Sequence, residues 1–170
     1  QFTPTWASDF DNKDGEALRF LGGGLLAWRL SDLWTAVAGV NYLDREDLPW
    51  LPIAGLRLAS EEVELDLVVP RPRLAWRLSQ DEEDLGEFWI YVVGEVGGGA
   101  WAFEREDTGL HDVFNYRDLR VLAGFETRLV EGLRSVFEAG YVFDRQIEFE
   151  KGPGRITPGD TWLIRWGATY

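Results

Sequence analysis

Basic and acidic side chains fall repeatedly at alternate positions between apolar ones, and this spacing is the first feature with chemical consequences. Arg19, Arg29, Arg57, Arg73, Arg77, Arg120, Arg128, Arg134 and Arg165 each stand beside a residue suited to hydrocarbon, as do Glu64, Asp66, Glu87, Glu95, Glu126, Glu138 and Asp144. Alternate residues of an extended strand share a face, so these groups converge on one surface. Two chemistries follow from that convergence. Rings of charge can select solutes passing through a pore. Alternatively, guanidinium groups pair carboxylates bidentately, and an interlocked network fills a narrow interior. Acid and base nearly balance in the set, so no single-sign selectivity is evident. Barrels near eight strands are filled by side chains, and only much larger ones leave a channel. A filled interior is therefore the expectation, with a narrow or gated pore as the alternative.

Other reactive groups are sparse. His111 is the sole histidine, so any Ser-His mechanism must use it. A surface lipid-modifying enzyme built on His111 would need one of Ser8, Ser31, Ser60, Ser79 or Ser135, and only Ser8 lies near the same kind of loop. A solvated loop histidine is the simpler reading, and no residue is assigned a catalytic role. Asp9, Asp11, Asn12, Asp14 and Glu16 gather around Gly15 like a calcium loop, but Lys13 occupies a ligand position. They read as a hydrated acidic tip, and no metal or cofactor is expected. The runs Gly22–Gly24 and Gly97–Gly99 precede no helix and no Walker lysine, so they are not phosphate cradles.

The elements that must carry these groups are strands. Trp162, Ile164, Trp166, Ala168 and Tyr170 alternate with Leu163, Arg165, Gly167 and Thr169. The same alternation recurs in Leu18 to Leu30, Trp34 to Tyr42, Ala54 to Leu58, Val63 to Val69, Leu74 to Leu78, Phe88 to Val96, Leu119 to Phe125 and Leu133 to Phe143. Pro70–Pro72 is a tight turn or a bulge, because prolines do not sit mid-ladder. The Gly97–Gly99 run is expected to bulge its strand, after which Trp101 and Phe103 face outward. With Phe2–Phe10 as a strand the count is about ten. Short connections at Ser31-Asp32, Ser60–Glu62, Gln80–Asp84 and Glu131-Gly132 fall at one end. The longer ones, at Asp11–Gly15, Arg45–Leu48, Arg105–Asp112 and Lys151–Gly159, fall at the other. Trp28, Trp34, Trp76, Phe88, Trp166 and Tyr170 gather near the short-turn end as an aromatic belt.

This arrangement predicts an all-β, antiparallel, up-and-down transmembrane barrel in a bacterial outer membrane. Such barrels alternate apolar-out and polar-in, with aromatic girdles and short periplasmic turns. The 170 residues are expected to form one domain, residues 1–170, and there is no cysteine for a disulfide or a thiolate metal site. Nine tryptophans suit interfacial anchoring. The mean hydropathy of −0.21 fits either a soluble protein or a barrel with a polar lumen. A net charge of −13 argues against nucleic acid as a partner. A soluble lipocalin-like barrel holding an apolar ligand is the competing architecture, but Trp residues near strand ends favour the membrane form.

Several segments read together carry a resemblance. They are Leu51-Pro52-Ile53-Ala54-Gly55-Leu56, Val69-Pro70-Arg71-Pro72-Arg73-Leu74-Ala75-Trp76, Gly97-Gly98-Gly99-Ala100-Trp101, Tyr116-Arg117-Asp118-Leu119-Arg120 and Glu138-Ala139-Gly140-Tyr141-Val142-Phe143-Asp144-Arg145. From about Ser8 to the C-terminus the chain resembles an uncharacterised family of bacterial outer-membrane β-barrel proteins, a domain of unknown function. The resemblance implies a barrel fold and an outer-membrane address and supplies no activity; the structural or porin-like passive transport role expected here rests on the charged inner face. Lipid and the barrel-assembly machinery, engaged through the C-terminal strand, would be its partners. Family members carry further sequence ahead of this chain's first residue, which implies an N-terminal trim from a larger barrel. No catalytic residues carry over.

Overall fold

The computed structural model describes residues 2–6, 18–45, 48–80, 86–105, 109–129, 132–151 and 154–170. Eleven strands form one antiparallel sheet: β1 (Phe2–Trp6), β2 (Leu18–Arg29), β3 (Trp34–Tyr42), β4 (Trp50–Ala59), β5 (Val63–Val69), β6 (Arg73–Gln80), β7 (Gly86–Glu104), β8 (His111–Leu129), β9 (Arg134–Phe149), β10 (Arg155–Ile156) and β11 (Thr161–Thr169). Each strand pairs with its sequence neighbour as far as β10, and β11 pairs with β9 along the same edge as β10. β10 and β11 are thus one pass of chain interrupted at Thr157–Asp160, where Pro158 has no N–H to give a ladder. Among the described residues the sheet makes ten passes in up-and-down order and is not closed.

The turns explain the order. Ser31 Oγ accepts from the Trp34 amide at 3.1 Å, and Ser60 Oγ both accepts from and donates to Val63 at 3.0 Å. Gly132, at φ 86, bonds back to the Leu129 carbonyl at 3.0 Å in a conformation that favours glycine. These connections define the turn end of the sheet. Pro70–Pro72 is a turn between β5 and β6, on the opposite side, the loop end. The Pro72 carbonyl accepts from Gly94 at 2.9 Å, so the turn also seals part of the β7 edge. The expected turn residues Asp81–Asp84 and the connection at Asp11–Gly15 lie outside the described residues.

Two expectations about strand phase need correction. The β7–β8 register runs without a shift from Gly86↔Leu129 to Glu104↔His111, so Gly97–Gly99 does not bulge the strand. A side chain at Gly97 would collide with the Asp118 carboxylate and the Arg120 guanidinium. Glycine there makes room for an ion pair. Trp101 and Phe103 consequently keep the phase of Glu95 instead of switching away from it. They meet Phe114 at ring-centroid distances of 5.3 and 5.7 Å, and Phe103 meets Phe149 at 5.8 Å. The irregularities lie elsewhere, between Arg77 and Ser79 on the β6–β7 ladder and between Arg117 and Leu119 on the β8–β9 ladder. At the second of these Asp144 adopts φ 48 opposite Asp118.

Candidate functional site

The face bearing the charges is concave and partly buried, whereas the opposite face is apolar and exposed. Curvature is evident from which strands exchange ion pairs. Strands three ladders apart would be roughly 14 Å apart on a flat sheet, yet Arg128 on β8 reaches Glu64 on β5 at 2.7 and 2.8 Å. Arg165 on β11 reaches Glu95 on β7 at 3.0 and 2.8 Å across the same number of ladders.

The network has two tiers. Nearer the turn end, Glu126 accepts from Arg73 and Arg134, each at 2.8 Å, and also from Arg128. Glu64 accepts from Arg73 at 2.9 Å and from both terminal nitrogens of Arg128. Glu87 joins through Arg77 at 3.2 Å and the Trp89 indole at 2.9 Å, while Arg128 lies over the Trp89 ring at 4.6 Å. Nearer the loop end, Glu95 accepts from Arg71, Arg120 and Arg165. Arg120 is also forked onto Asp118 at 2.8 and 3.0 Å. Glu138 takes Arg71 at 2.9 Å, the Tyr91 hydroxyl at 2.7 Å, and Arg165.

Tyr91 ties the tiers together, because the Arg73 guanidinium lies 4.2 Å over its ring while its hydroxyl serves Glu138. Gly124 lies directly across the ladder, and a Cβ there would run into the tyrosine ring. Ala75, Trp89, Val93 and Leu122 pack around these groups as a buried apolar cluster. Glu126 is 0% exposed, so its charge is satisfied wholly by protein. Such a carboxylate needs several donors to offset lost hydration.

Most of the residues expected on the inner face therefore meet there. Arg73, Arg77, Arg120, Arg128, Arg134 and Arg165 contact Glu64, Glu87, Glu95, Glu126 and Glu138. Arg57 and Asp66 form a separate pair at 3.0 Å, with side chains 49% and 33% exposed. Arg19 bonds the Asp44 carbonyl at 3.2 Å, away from the network. Arg29 is exposed at the end of β2, and Asp144 is exposed beside its ladder irregularity. Arg71, Asp118, Trp89 and Tyr91 belong to the network but escape the sequence reading. The last three share the phase of Arg120, Glu87 and Glu95, so the alternation contained them. Arg71 sits in a turn, where alternation has no meaning.

Aromatic residues mark both ends of the outer face. Trp28, Trp34, Phe88, Trp166 and Tyr170 lie within three residues of the turn-end limit of their strands, and Trp76 lies mid-strand. The Trp166 indole donates to Ser135 Oγ at 3.1 Å, and Phe88 stacks on Phe125 at 6.1 Å. A second group at the loop end is an addition to the sequence reading: Tyr42 with Trp50 at 4.9 Å, and Tyr141 with Trp162 at 5.3 Å.

His111 begins β8 at the loop end, with Nε2 3.6 Å from Glu104. Ser31, Ser60, Ser79 and Ser135 all lie at the turn end. Ser135 pairs with Thr127, sixteen residues along the strand from His111, roughly 50 Å away. None of these serines can be its nucleophile. Ser8 and the acidic group Asp9–Glu16 lie outside the described residues. No protein-family model, curated protein or solved structure matches the chain.

Proposed function

We propose that this chain is an outer-membrane β-barrel protein whose interior is a locked Arg–carboxylate network, with a structural role or at most slow, gated passage of solutes. The observation that carries the reading is the inverted distribution of polarity. Glu126, Glu138 and Asp118 are buried on the concave side, while Trp162, Ile164 and Trp166 stand 70% or more exposed on the other. In water such a contiguous apolar exterior favours association. In a bilayer it is the stable surface, and charge belongs inside.

The dimensions agree. Trp34 to Tyr42 on β3, and Trp162 on β11 to Tyr170 just past its end, each span eight residue steps, about 26 Å along a strand and about 20 Å of height at a 40° tilt. That compares with an apolar band of about 25 Å in such barrels. In the two longest strands the band runs from Phe88 to Val96 and from Leu119 to Leu129, and their remaining residues project beyond it toward the loop end. In this reading that end faces outward and Tyr170 faces the periplasm.

The network opposes ready conduction. The tier nearer the turn end brings four arginines to three carboxylates, and the other brings three to three. Their near-neutral sum leaves the −13 of the chain to the turns, loops and remaining surface. A lumen so occupied offers neither a charge ring of one sign nor an open bore.

The test is gel mobility of the membrane-extracted protein with and without boiling in SDS, followed by planar-bilayer recording. A faster unboiled band and a conductance far below that of an open porin are expected. An unshifted band with the protein in the aqueous fraction would reject the membrane reading, and a large steady conductance would reject the locked interior.

A further inference from the structure

The concave face is not uniformly filled. Along β1–β3 it borders an open cavity of about 570 Å³ lined by Thr3, Leu21, Gly23, Leu25, Asn41 and Leu43, which share that face, and by Gly22, Gly24 and Tyr42, which are in the opposite phase. That volume lies within the range of small-molecule sites, about 300–1,000 Å³. Three successive glycines leave one wall as bare backbone, and Leu21, Leu25 and Leu43 supply apolar sides. Nothing in the ion-pair network reaches this region.

Arg19 does not line the cavity but is its neighbour. It precedes the lining residue Leu21 by two positions on the same face of β2, roughly 7 Å along the strand. Its Nη1 donates to the carbonyl of Asp44, the residue following the cavity wall at Leu43. Its Nε and Nη2 are buried and have no hydrogen-bond partner, and among the described residues no other buried side-chain nitrogen is so placed. The nearby Asp44 carboxylate is engaged by the Phe20 amide at 2.8 Å and the Tyr42 hydroxyl at 3.1 Å. A buried guanidinium with two unmet N–H groups is costly unless something supplies acceptors. These nitrogens form the fork that carboxylate and phosphate oxygens fit.

We propose that β1–β3 form a binding site for an anionic single-chain amphiphile, with the head group on Arg19 and the hydrocarbon chain in the glycine-walled cavity. The charge selects an anion, and the leucines and bare backbone select a slender apolar tail. The site depends on local geometry and not on bilayer insertion, so it can fail or stand independently of the membrane reading.

Native mass spectrometry of the full chain, released from neutral-detergent micelles and titrated with dodecanoate, tests the proposal. A single 1:1 adduct is expected, uncompeted by millimolar acetate or inorganic phosphate. Arg19→Gln should weaken it roughly tenfold or more, the loss expected for hydrogen bonds to a charged group. Leu25→Trp, which narrows the cavity while keeping Arg19, should weaken it as well. Arg29→Gln, at the far end of the same strand face, should leave it unchanged and serves as the folded control. Absence of a 1:1 adduct from wild type overturns the proposal. Equal binding by wild type, Arg19→Gln and Leu25→Trp also overturns it, since the ligand would then be adhering to the general apolar surface. Competition by acetate or phosphate alone would identify a simple anion site and reject the amphiphile.

Discussion

From β5 to β9, and on β11, the concave face holds carboxylates gripped by up to three guanidiniums. From β1 to β4 the same face carries Leu21, Gly23, Leu25, Ala27, Val37, Gly39 and Ile53, with charge confined to Arg19, Arg29 and the exposed Arg57–Asp66 pair. The outer faces of the two sectors are alike: both are apolar and both carry aromatic rings near the strand ends. What differs is whether anything inside spans several strands. Ion pairs between positions three ladders apart impose curvature, because they form only if the sheet bends. Among the described residues of β1–β4 no comparable group fixes the bend, and the described sheet is not closed between its β1 and β11 edges. The charge network thus acts as a structural device that sets shape in one sector, and its absence leaves an accessible cavity in the other.

If the sectors differ in this way, cutting the network should have the largest effect on stability. Glu126→Leu removes the acceptor shared by Arg73, Arg128 and Arg134 and leaves guanidiniums without their buried partner. A loss of about 3–5 kcal/mol is expected, the range for breaking a buried ion pair by removing one member. Urea unfolding of the refolded protein, followed by Trp emission and by the mobility shift in SDS, would measure it. A loss below about 1 kcal/mol would mean that the network is incidental to the curvature.

Space for the network can be attacked without touching a charge. Gly124→Val places methyl groups against the Tyr91 ring and should cost about 1–3 kcal/mol through overpacking. Adding Tyr91→Phe would not relieve the clash, whereas Tyr91→Ala should recover part of it. A double-mutant cycle reads the coupling. The same change at Gly24, on the outer face of β2 where an added Cβ meets nothing within 4 Å, should be nearly silent in packing. Equal costs at the two glycines would show that the loss at Gly124 does not come from the Tyr91 clash.

Much of this was legible in the alternation. Leu74-x-Trp76 against Arg73, Ala75 and Arg77 fixed a phase that the ladder with β7 retains as far as Arg77, before the register shifts ahead of Ser79, and the ten passes of chain agree with the turn signals. The misreadings share a physical cause, which is that strand phase can be counted only where every residue contributes one step. Arg71 lies in a turn and has no phase. Asp144 lies where β9 gains a residue over β8, so counting from Glu138 carries it to the wrong surroundings. Gly97–Gly99 suits a bulge as well as a close approach, and only Asp118 and Arg120 on the facing strand decide between them. The cavity was illegible for a related reason. It is made by side chains that glycine lacks, and the unmet Nε and Nη2 of the neighbouring Arg19 depend on three-dimensional surroundings.

Beyond the apolar band, Asp112 offers a test at the projecting tip. It lies seven residues from Leu119 toward the loop end and is completely buried. Burial alone would raise its carboxyl, but Arg105, at 2.6 and 2.9 Å, and the amides of Lys151 and Val113 outweigh that and hold it below its ordinary value of 3.8. A depressed carboxyl stabilises its surroundings above the unfolded-state value, and that contribution is lost as pH falls from about 3.8 through the folded-state value. Exchange protection of the Lys151 and Val113 amides should therefore weaken on acidification below pH 4. In Asp112→Asn it should be lower at neutral pH and insensitive to acid. Unchanged protection in that variant would show that the backbone ladder alone holds the tip.

The smallest effect is expected at the border between the sectors. Arg57 and Asp66 face each other across β4 and β5 with half and a third of their side chains in solvent, and although Asp66 is the ladder partner of Arg73, no ion pair among the described residues joins either to the network. Exposed pairs contribute about 0–1 kcal/mol, so Arg57→Ala should lie within that range and be insensitive to a second change at Glu126. Its value lies in the coupling. If Arg57→Ala and Glu126→Leu are additive, the network ends at Glu64 and the β1–β4 sector is energetically separate. An interaction above about 0.5 kcal/mol would instead show that charge on β4 communicates with β8, and that the division between a locked and an open sector lies nearer to β3.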